Sequence, residues 1–323
     1  MKPFTLVHAT SLAEASRAVE KPGAELKAGG VDLLDRMKEG YDNPSTVVSI
    51  AGIAGLDRIE AGPPARVGAL ATLAAIAAHP GLQKQYPALA AAAAGAATPQ
   101  IRNMATLGGN LCQRPRCWYY RLEEFDCRKK GGKDCFAFEG ENHNLAIFDT
   151  GLRCCCIHPS ATGTALMAYG AQLEISSASG RKALPIDKFF HRPVEDATRE
   201  NTLAKGEIVE AVTLPALPGG SRSVYRKLKE KESFDWPIVE VCVVLGLSGG
   251  TIHDPRVVFG SVAPTPHRSP EAEAVLAGAK PSPELARKAA EAAVATAKPL
   301  SQTGYKVRLA RVELERALRE AFA

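Results

Sequence analysis

The sequence lacks an apolar stretch long enough to cross a membrane. Its most apolar window runs from Ala88 to Ala97 and is bracketed by Pro87 and Pro99, whereas a membrane-spanning helix needs about 20 apolar residues. The N-terminal segment MKPFTLVHAT carries one lysine and no apolar core, so it does not resemble a signal peptide. We therefore expect no membrane insertion and a cytoplasmic chain, periplasmic only if a partner that carries the signal exports it.

Aromatic residues are also scarce, at 6% of the 323 residues, and the formal net charge is only +5. Proteins that bind nucleic acids usually combine a strongly basic surface with aromatic stacking platforms. We therefore expect no nucleic-acid partner. The apolar fraction of 46% and the charged fraction of 23% are typical of a globular protein, and the length predicts two or three domains.

Helical and strand patterns alternate along the chain and predict an α+β fold in three parts. Residues 1–57 form a small unit of strands and helices, and residues 58–217 form a second unit with a Cys-rich insert at 112–156. The segment PALPGG at 215–220 is the best linker. Residues 218–323 are predicted to form a three-stranded antiparallel sheet (223–228, 239–247 and 257–262) followed by helices (270–276, 282–297 and 307–321).

Two glycine pairs stand between predicted elements. Gly29 and Gly30 join a strand to a helix, where glycine allows backbone N–H groups to approach an anion. One such loop alone is more typical of an ordinary turn, but the segment 106–110 repeats the pattern with Gly108, Gly109 and an asparagine amide. Together the two loops predict a clamp for a diphosphate. The G-x-G-x-x-G fingerprint is absent, so the usual dinucleotide-binding fold is not supported.

Seven of the eight cysteines lie between Cys112 and Cys156. One dense cluster in a chain of this size favours a metal site over a disulfide framework. The spacings match neither zinc fingers nor the tight ferredoxin run, so they do not identify the metal. Residues 113–133 hold seven positive and three negative side chains, which suits an anionic cluster; a solvated basic loop with buried cysteines is the alternative. Cys112 is predicted to line the ligand pocket, and Cys242 to be a buried strand residue.

The motifs, taken in order, resemble the flavin subunit of the xanthine dehydrogenase and aldehyde oxidase superfamily over the whole chain. AGGVDLL at 28–34 is similar to the first FAD-diphosphate loop, and QIRNMATLGGN at 100–110 to the second. HPS at 158–160 is similar to the third, while YRK at 225–227 and GSVAPTP at 260–266 are similar to markers of the C-terminal domain. The resemblance implies a two-subdomain FAD-binding fold of the PCMH type followed by a C-terminal flavoprotein domain.

The resemblance also implies which residues contact FAD, and it assigns no catalytic residue to this chain. The family usually has an aspartate after HPS, where this sequence has Ala161, and the loss of one hydrogen bond costs about 1 kcal/mol. Thr162 or Thr164 could compensate. The family has a basic residue near the flavin ring, and Lys227 stands at the corresponding position. The alternative interpretation is that Lys227 is an ordinary surface lysine. The implied FAD contacts are Ala28, Gly29, Gly30, Val31, Asp32, Leu33, Arg102, Thr106, Gly108, Gly109, Asn110, His158, Ser160 and Lys227.

The segment LCQRPRCWYYR and the cysteines after it are similar to one branch of this family, which carries an inserted 4Fe-4S site. Flavin subunits of 4-hydroxybenzoyl-CoA reductase and of periplasmic aldehyde oxidoreductases belong to that branch. There the fourth ligand precedes HPS by four residues, which corresponds to Cys154. The implied ligands are Cys117, Cys127, Cys135 and Cys154, with Cys155 and Cys156 set aside.

The family divides the work of the enzyme among subunits. The resemblance implies a molybdopterin-binding large subunit that reacts with the substrate and a 2Fe-2S small subunit that relays electrons. This chain is then expected to take those electrons onto FAD and pass them to an external electron acceptor. The alternatives are a stand-alone FAD reductase of the same fold and a zinc-binding scaffold with a degenerate FAD site.

Overall fold

The computed structural model describes residues 1–151 and 153–323. The N-terminal region forms a sheet of three parallel strands in the order β1-β3-β2, with β-branched residues in the central strand. Ser11 begins the first helix as its spacing to Glu14 predicts, because its hydroxyl accepts the Glu14 N–H at 3.2 Å. The elements are β1 (Thr5–His8), α1 (Leu12–Val19), β2 (Ala24–Lys27), α2 (Val31–Glu39) and β3 (Thr46–Ser49).

The second region is built on five antiparallel strands in the order β4-β5-β8-β6-β7. Alanine-rich helices pack closely on this sheet, and the Tyr86 and Tyr169 rings meet edge to face at 5.3 Å. The elements are β4 (Ile59–Glu60), β5 (Ala65–Gly68), α3 (Leu73–Ala78), α4 (Pro80–Gln85), α5 (Pro87–Ala94), α6 (Pro99–Met104), α7 (Leu107–Leu111), α8 (Trp118–Arg121), α9 (Ala161–Tyr169), β6 (Gln172–Ser177), β7 (Gly180–Pro185) and β8 (Ile208–Leu214).

The Cys-rich insert between α7 and α9 is mostly irregular, as its lack of periodicity predicts. Besides α8, its described part has two short 3-10 helices, Arg128–Lys130 and Phe136–Phe138. The fully buried side chain of Asn142 bridges the carbonyls of Ala137 and Gly140 at 3.0 and 3.1 Å. Lys306 of the last helix donates to the carbonyl of Leu145 at 3.1 Å, so the end of the insert is fixed to the C-terminal region.

The C-terminal sheet has four antiparallel strands in the order β12-β11-β10-β9, so the prediction of three strands is wrong. The fourth strand has only two residues, which is too short to give an alternating pattern. Cys242 is fully buried in β10, as predicted. The elements are β9 (Ser221–Lys229), β10 (Pro237–Ser248), β11 (Thr251–Gly260), β12 (His267–Arg268), α10 (Pro270–Leu276), α11 (Pro283–Val294) and α12 (Gly304–Phe322).

The two faces of this sheet have different partners. Val239, Val241 and Val243 pack with the C-terminal helices, whereas Tyr225 and Cys242 face the core of the second region. The C-terminal sheet therefore covers the second region and contributes side chains to the junction between the second and C-terminal regions. Within the described part of the chain, no helix has the length and apolar character that a membrane span requires.

Candidate functional site

The first glycine loop fits tightly against the end of α6. A Cβ atom at Gly29 would lie 1.9 Å from the Met104 carbonyl oxygen, so no larger residue fits there. Gly30 has φ of 81°, a conformation that glycine adopts without strain, and it begins α2. The first N–H groups of a helix have no partner within the helix. Those of α2 therefore lie at the wall of a cavity of about 420 Å³ that Gly30 and Val31 help to line.

The second loop is shaped by its own hydrogen bonds. The Thr106 hydroxyl accepts the Gly109 N–H at 3.2 Å and begins α7. The Gly108 N–H donates to the Ala69 carbonyl at 2.8 Å, and a Cβ atom at Gly108 would lie only 3.0 Å from that of Ala69. Gly108 thus packs behind the cavity wall, whereas Thr106 and Gly109 line the cavity.

Asn110 joins the second loop to the third. Its side-chain oxygen accepts the hydroxyls of Ser160 at 2.7 Å and of Thr162 at 2.6 Å. Thr164 donates its hydroxyl to the Ser160 carbonyl at 3.3 Å. Ala161 lines the cavity in the position where the family usually has aspartate. Both threonine hydroxyl hydrogens are donated within the protein, so neither is directed into the cavity in place of that carboxyl group.

His158 supports the third loop from behind. Its ring is buried against Phe190 at 4.7 Å between ring centroids, and its Nδ1 accepts the Ser160 N–H at 3.3 Å. Burial lowers the pKa of His158 to about 3, so the ring is neutral at physiological pH. Its Nε2 has no hydrogen-bond partner among the described residues.

Ten of the residues that the resemblance assigned to FAD line this one cavity. At the far end, Lys227 reaches across from β9 and donates to the Gly95 carbonyl at 2.8 Å. The C-terminal domain therefore closes one side of a cavity that the three loops also line. The ten are Ala28, Gly29, Gly30, Val31, Asp32, Leu33, Thr106, Gly109, Asn110 and Lys227.

Four assigned residues, Arg102, Gly108, His158 and Ser160, do not line the cavity but hold segments that do. Arg102, for example, donates to the carbonyls of Ala96 and Ala97 at 2.8 Å each, and both alanines line the wall. The sequence patterns did not mark several further wall residues. No local pattern could have found them, because they reach the cavity only through tertiary packing: Ala96, Ala97, Thr98, Gln113, Arg116, Trp236 and Glu240. Cys112 lines the cavity as predicted.

The carboxylate of Asp32 forms ion pairs with three arginines. It lies 2.6 Å from Arg116, 3.1 Å from Arg36 and 3.2 Å from Arg121, and it also accepts the Arg114 N–H at 3.1 Å. Burial opposes its charge, but these partners, Arg116 first, hold the pKa of Asp32 below its usual value. Since three of the four partners belong to the first residues of the insert, Asp32 connects the insert to the first loop.

Six cysteines of the insert line one small recess. The Sγ atoms of Cys135 and Cys155 are 3.7 Å apart, and hydrogen bonding with Cys154 and then Cys155 lowers the pKa of the Cys135 thiol. All eight cysteines of the chain are free thiols. Within residues 1–151 and 153–323, no three His, Cys, Asp or Glu side chains are arranged around one metal ion. The six are Cys117, Cys127, Cys135, Cys154, Cys155 and Cys156.

Four positive side chains of the insert pair with largely buried carboxylates. Arg114 pairs with Glu200 at 2.9 Å, and two further arginines pair with Asp32. Lys129 is buried beside the cysteine recess, 2.6 Å from Glu200 and 2.9 Å from the Ala197 carbonyl. Burial opposes its charge, but Cys156 and Glu200 raise the pKa of Lys129 overall. A fixed positive charge therefore lies next to the thiols.

Comparison with known families covers nearly the whole chain. Residues 2–217 match the family described as the FAD binding domain in molybdopterin dehydrogenase. Residues 223–321 match the CO dehydrogenase flavoprotein C-terminal domain. The cavity thus lies where these two matched regions meet.

Individual relatives agree with the family matches. The chain is 33% identical to the aldehyde oxidoreductase FAD-binding subunit PaoB of Escherichia coli K12, covering 100% of this chain and 99% of that subunit. It is 28% identical to the carbon monoxide dehydrogenase medium chain of Hydrogenophaga pseudoflava, covering 93% and 90%. A solved carbon monoxide dehydrogenase from H. pseudoflava superposes with a TM-score of 0.78, 29% identity and coverage of 99% and 98%. The chain therefore belongs to the family of FAD-binding subunits of the molybdenum hydroxylases, and it is an FAD-dependent oxidoreductase subunit.

Proposed function

We propose that the cavity binds FAD with its diphosphate between the first two glycine loops and its flavin ring toward Lys227. The observation that carries this proposal is the convergence of three loops and one lysine on a single cavity. The close approach at Gly29 and the open N–H groups of α2 suit a diphosphate, which backbone donors bind well. The bound flavin supplies the redox chemistry, because it accepts electrons singly or in pairs.

The chain's own residues bind and orient the cofactor in this proposal. Backbone groups of residues 28–33 and 106–110 hold the diphosphate, while Arg102, Gly108, His158 and Ser160 fix the loops. We retain the division into residues 1–57, 58–217 and 218–323 as part of the proposal. The family matches, which meet between residues 217 and 223, support the second boundary.

We further propose that this subunit receives electrons from a 2Fe-2S small subunit and passes them to an external acceptor. The electrons originate at a molybdopterin-binding large subunit, where the substrate reacts. This division of labour is supported by similarity to a subunit named for aldehyde oxidoreductase and to one named for carbon monoxide dehydrogenase. The subunit then works by binding and electrostatics, without a catalytic base of its own.

The insert is proposed to hold a 4Fe-4S cluster through Cys117, Cys127, Cys135 and Cys154. The described residues suit such a group, because these four thiols share a recess with a buried lysine beside them. Each thiolate of a four-iron cluster binds a different iron, so the ligands do not converge on one point as they do around a single ion. The absence of a single-ion arrangement among the described residues is therefore compatible with a cluster.

Metal and flavin analysis of the purified chain, coexpressed with its neighbouring subunits, tests both cofactor proposals. We expect flavin absorbance and about four irons per chain beyond those of the small subunit. Cys127→Ser is expected to lose most of that iron because one of four ligands is gone. Cys156→Ser, in the same recess, is the matched control and should keep it. Zinc without iron, or full iron in Cys127→Ser, would contradict the cluster or its ligand set.

Tryptophan fluorescence offers a direct test of where the flavin binds. Trp236 lines the cavity, whereas Trp118, the second tryptophan of the chain, lies outside it. Adding FAD to the flavin-free chain is expected to quench the emission, because a flavin beside an indole accepts its excitation energy. The decrease in emission on adding FAD should be smaller in Trp236→Phe than in Trp118→Phe. A smaller decrease in Trp118→Phe would place the flavin elsewhere.

A further inference from the structure

A carboxyl group is built into the cavity wall opposite the glycine loops. Glu240 of β10 is only 1% exposed and lines the cavity. One of its oxygens accepts the Tyr225 hydroxyl, and the other accepts the Ser261 hydroxyl at 3.1 Å. A Cβ atom at Gly260, on the neighbouring strand, would lie 2.4 Å from this carboxyl, so the glycine leaves the space it needs. The carboxyl group is therefore held in one position.

Lys227 is the direct partner of Glu240 in the register of β9 and β10, and both side chains line the cavity. The other groups that face Glu240 are mainly uncharged. Besides Tyr225 and Ser261, the Thr164 hydroxyl of α9 lies near Gly260 on the same side as the carboxyl group, and Cys242 of β10 lies near Tyr225. Gly95, at the end of α5, offers only its carbonyl, to Lys227. Glu240 and Lys227 are thus cross-strand partners at this end of the cavity, where Asp235 also lines the wall and, together with Lys229 and Arg102, acts on the charge of Lys227.

Opposite charges at this place have opposite effects on a bound flavin. Reduction adds negative charge to the ring, so a lysine ammonium nearby favours the reduced form and a carboxylate disfavours it. Both effects are strong in a cavity wall, because little water screens them. A protein that carried only Lys227 would therefore have a more oxidising flavin than one that carries the pair.

We propose that Glu240 tunes the reduction potential of the flavin by offsetting the positive charge of Lys227. This inference rests on the proposed placement of the flavin ring, and it deepens that proposal by naming a residue that adjusts how readily the subunit gives up electrons. Glu240 acts through its charge at a fixed position; it takes no part in bond breaking.

The effect depends on pH in a direction that the structure defines. Burial raises the pKa of Glu240, while Tyr225, Lys227 and Ser261 act in the opposite sense. Below that raised pKa the carboxyl group is neutral and does not offset the positive charge of Lys227. Above it, the carboxylate opposes flavin reduction, so the influence of Glu240 grows toward alkaline pH.

The test is a redox titration of the flavin in the intact complex, carried out between about pH 6 and about pH 9 so that a raised carboxyl pKa is covered. At the alkaline end we expect Glu240→Gln to increase the ratio of reduced to oxidised flavin, at fixed potential, about tenfold. That ratio corresponds to a shift of about 30 mV for a two-electron couple. Lys227→Met should shift the potential in the negative direction, and the double variant should return toward the parent value.

Two comparisons separate this inference from a general structural effect. Glu313→Gln removes the charge of an equally buried carboxyl group, bonded to Arg226, that does not line the cavity, and it should leave the potential unchanged. If Glu240→Gln does not fold, Ser261→Ala removes one donor from the carboxylate and should move the pH dependence to higher pH. A flavin-bound Glu240→Gln protein with the parent's potential throughout overturns the inference. Absence of flavin from the parent protein would instead overturn the proposed function.

Discussion

Replacing Gly29 with alanine is expected to weaken FAD binding at least about 100-fold, a loss of about 3 kcal/mol of binding free energy. The added methyl group would lie 1.9 Å from the Met104 carbonyl oxygen, which belongs to backbone and cannot rotate away. The first loop must then move away from α6, and the two loops proposed to hold the diphosphate separate. The measurement is the dissociation constant of FAD for the flavin-free chain, together with the flavin retained after gel filtration.

Gly52→Ala is the matched control for this experiment. Gly52 lies in the same N-terminal region, and a Cβ atom there would have no neighbour within 4 Å. This variant should bind FAD as the parent does. If Gly29→Ala also retains full affinity while remaining folded, the close contact between the two loops does not shape the FAD site.

Replacing Asp32 with asparagine is expected to lower the free energy of unfolding by about 3 kcal/mol, because it neutralises a largely buried carboxylate that three arginines share and leaves the half-buried Arg116 without a counter-charge. Arg121 retains Asp35 and Glu39 as partners, at 2.8 and 3.1 Å, whereas no other carboxylate is within ion-pair distance of Arg116 among the described residues. We expect the insert to loosen first, so limited proteolysis should cut it sooner than in the parent. Urea unfolding measures the change in free energy.

The ion pairs of Asp32 also make the stability of the folded chain depend on pH. Because the pKa of Asp32 is lower in the folded chain than its ordinary value, its contribution to stability is present above the unfolded pKa of about 4 and is lost as the pH falls through the folded pKa. Asp57→Asn, at an exposed position with no ion pair among the described residues, is the control. Equal stability of Asp32→Asn and Asp57→Asn would show that the arginines do not depend on Asp32.

Local sequence patterns predicted the elements that depend on local physics. The helix expected at 270–276 is α10, because Ser269 and Pro270 mark its start and the chain turns after Leu276. Paired glycines marked both glycine loops, because Gly30 has a positive φ and because Gly29 and Gly108 lie too close to neighbouring segments for a side chain. Strand β12 was missed because two residues carry no period.

The parts of the site that were not predicted depend on distant segments. Nothing near Asp32 in the sequence indicates that Arg116 and Arg121, more than 80 positions later, take up its carboxylate. Glu240 lies in an apolar strand and reaches the cavity only when the C-terminal sheet packs on the second region. The Cys154–Cys156 triplet could not be divided by spacing alone, since all three side chains line the recess.

The position of Asp32 has a consequence for exchanging parts between relatives. Its carboxylate belongs to α2 in the first loop, but it is held by arginines from the first residues of the insert. Arg121 also draws on Asp35 and Glu39 of the same helix. The cysteine segment therefore does not form a structurally independent unit, because it depends on acidic residues of α2. A chimera that receives residues 112–156 must also receive the acidic face of α2, or the transplanted arginines will be buried without their partners.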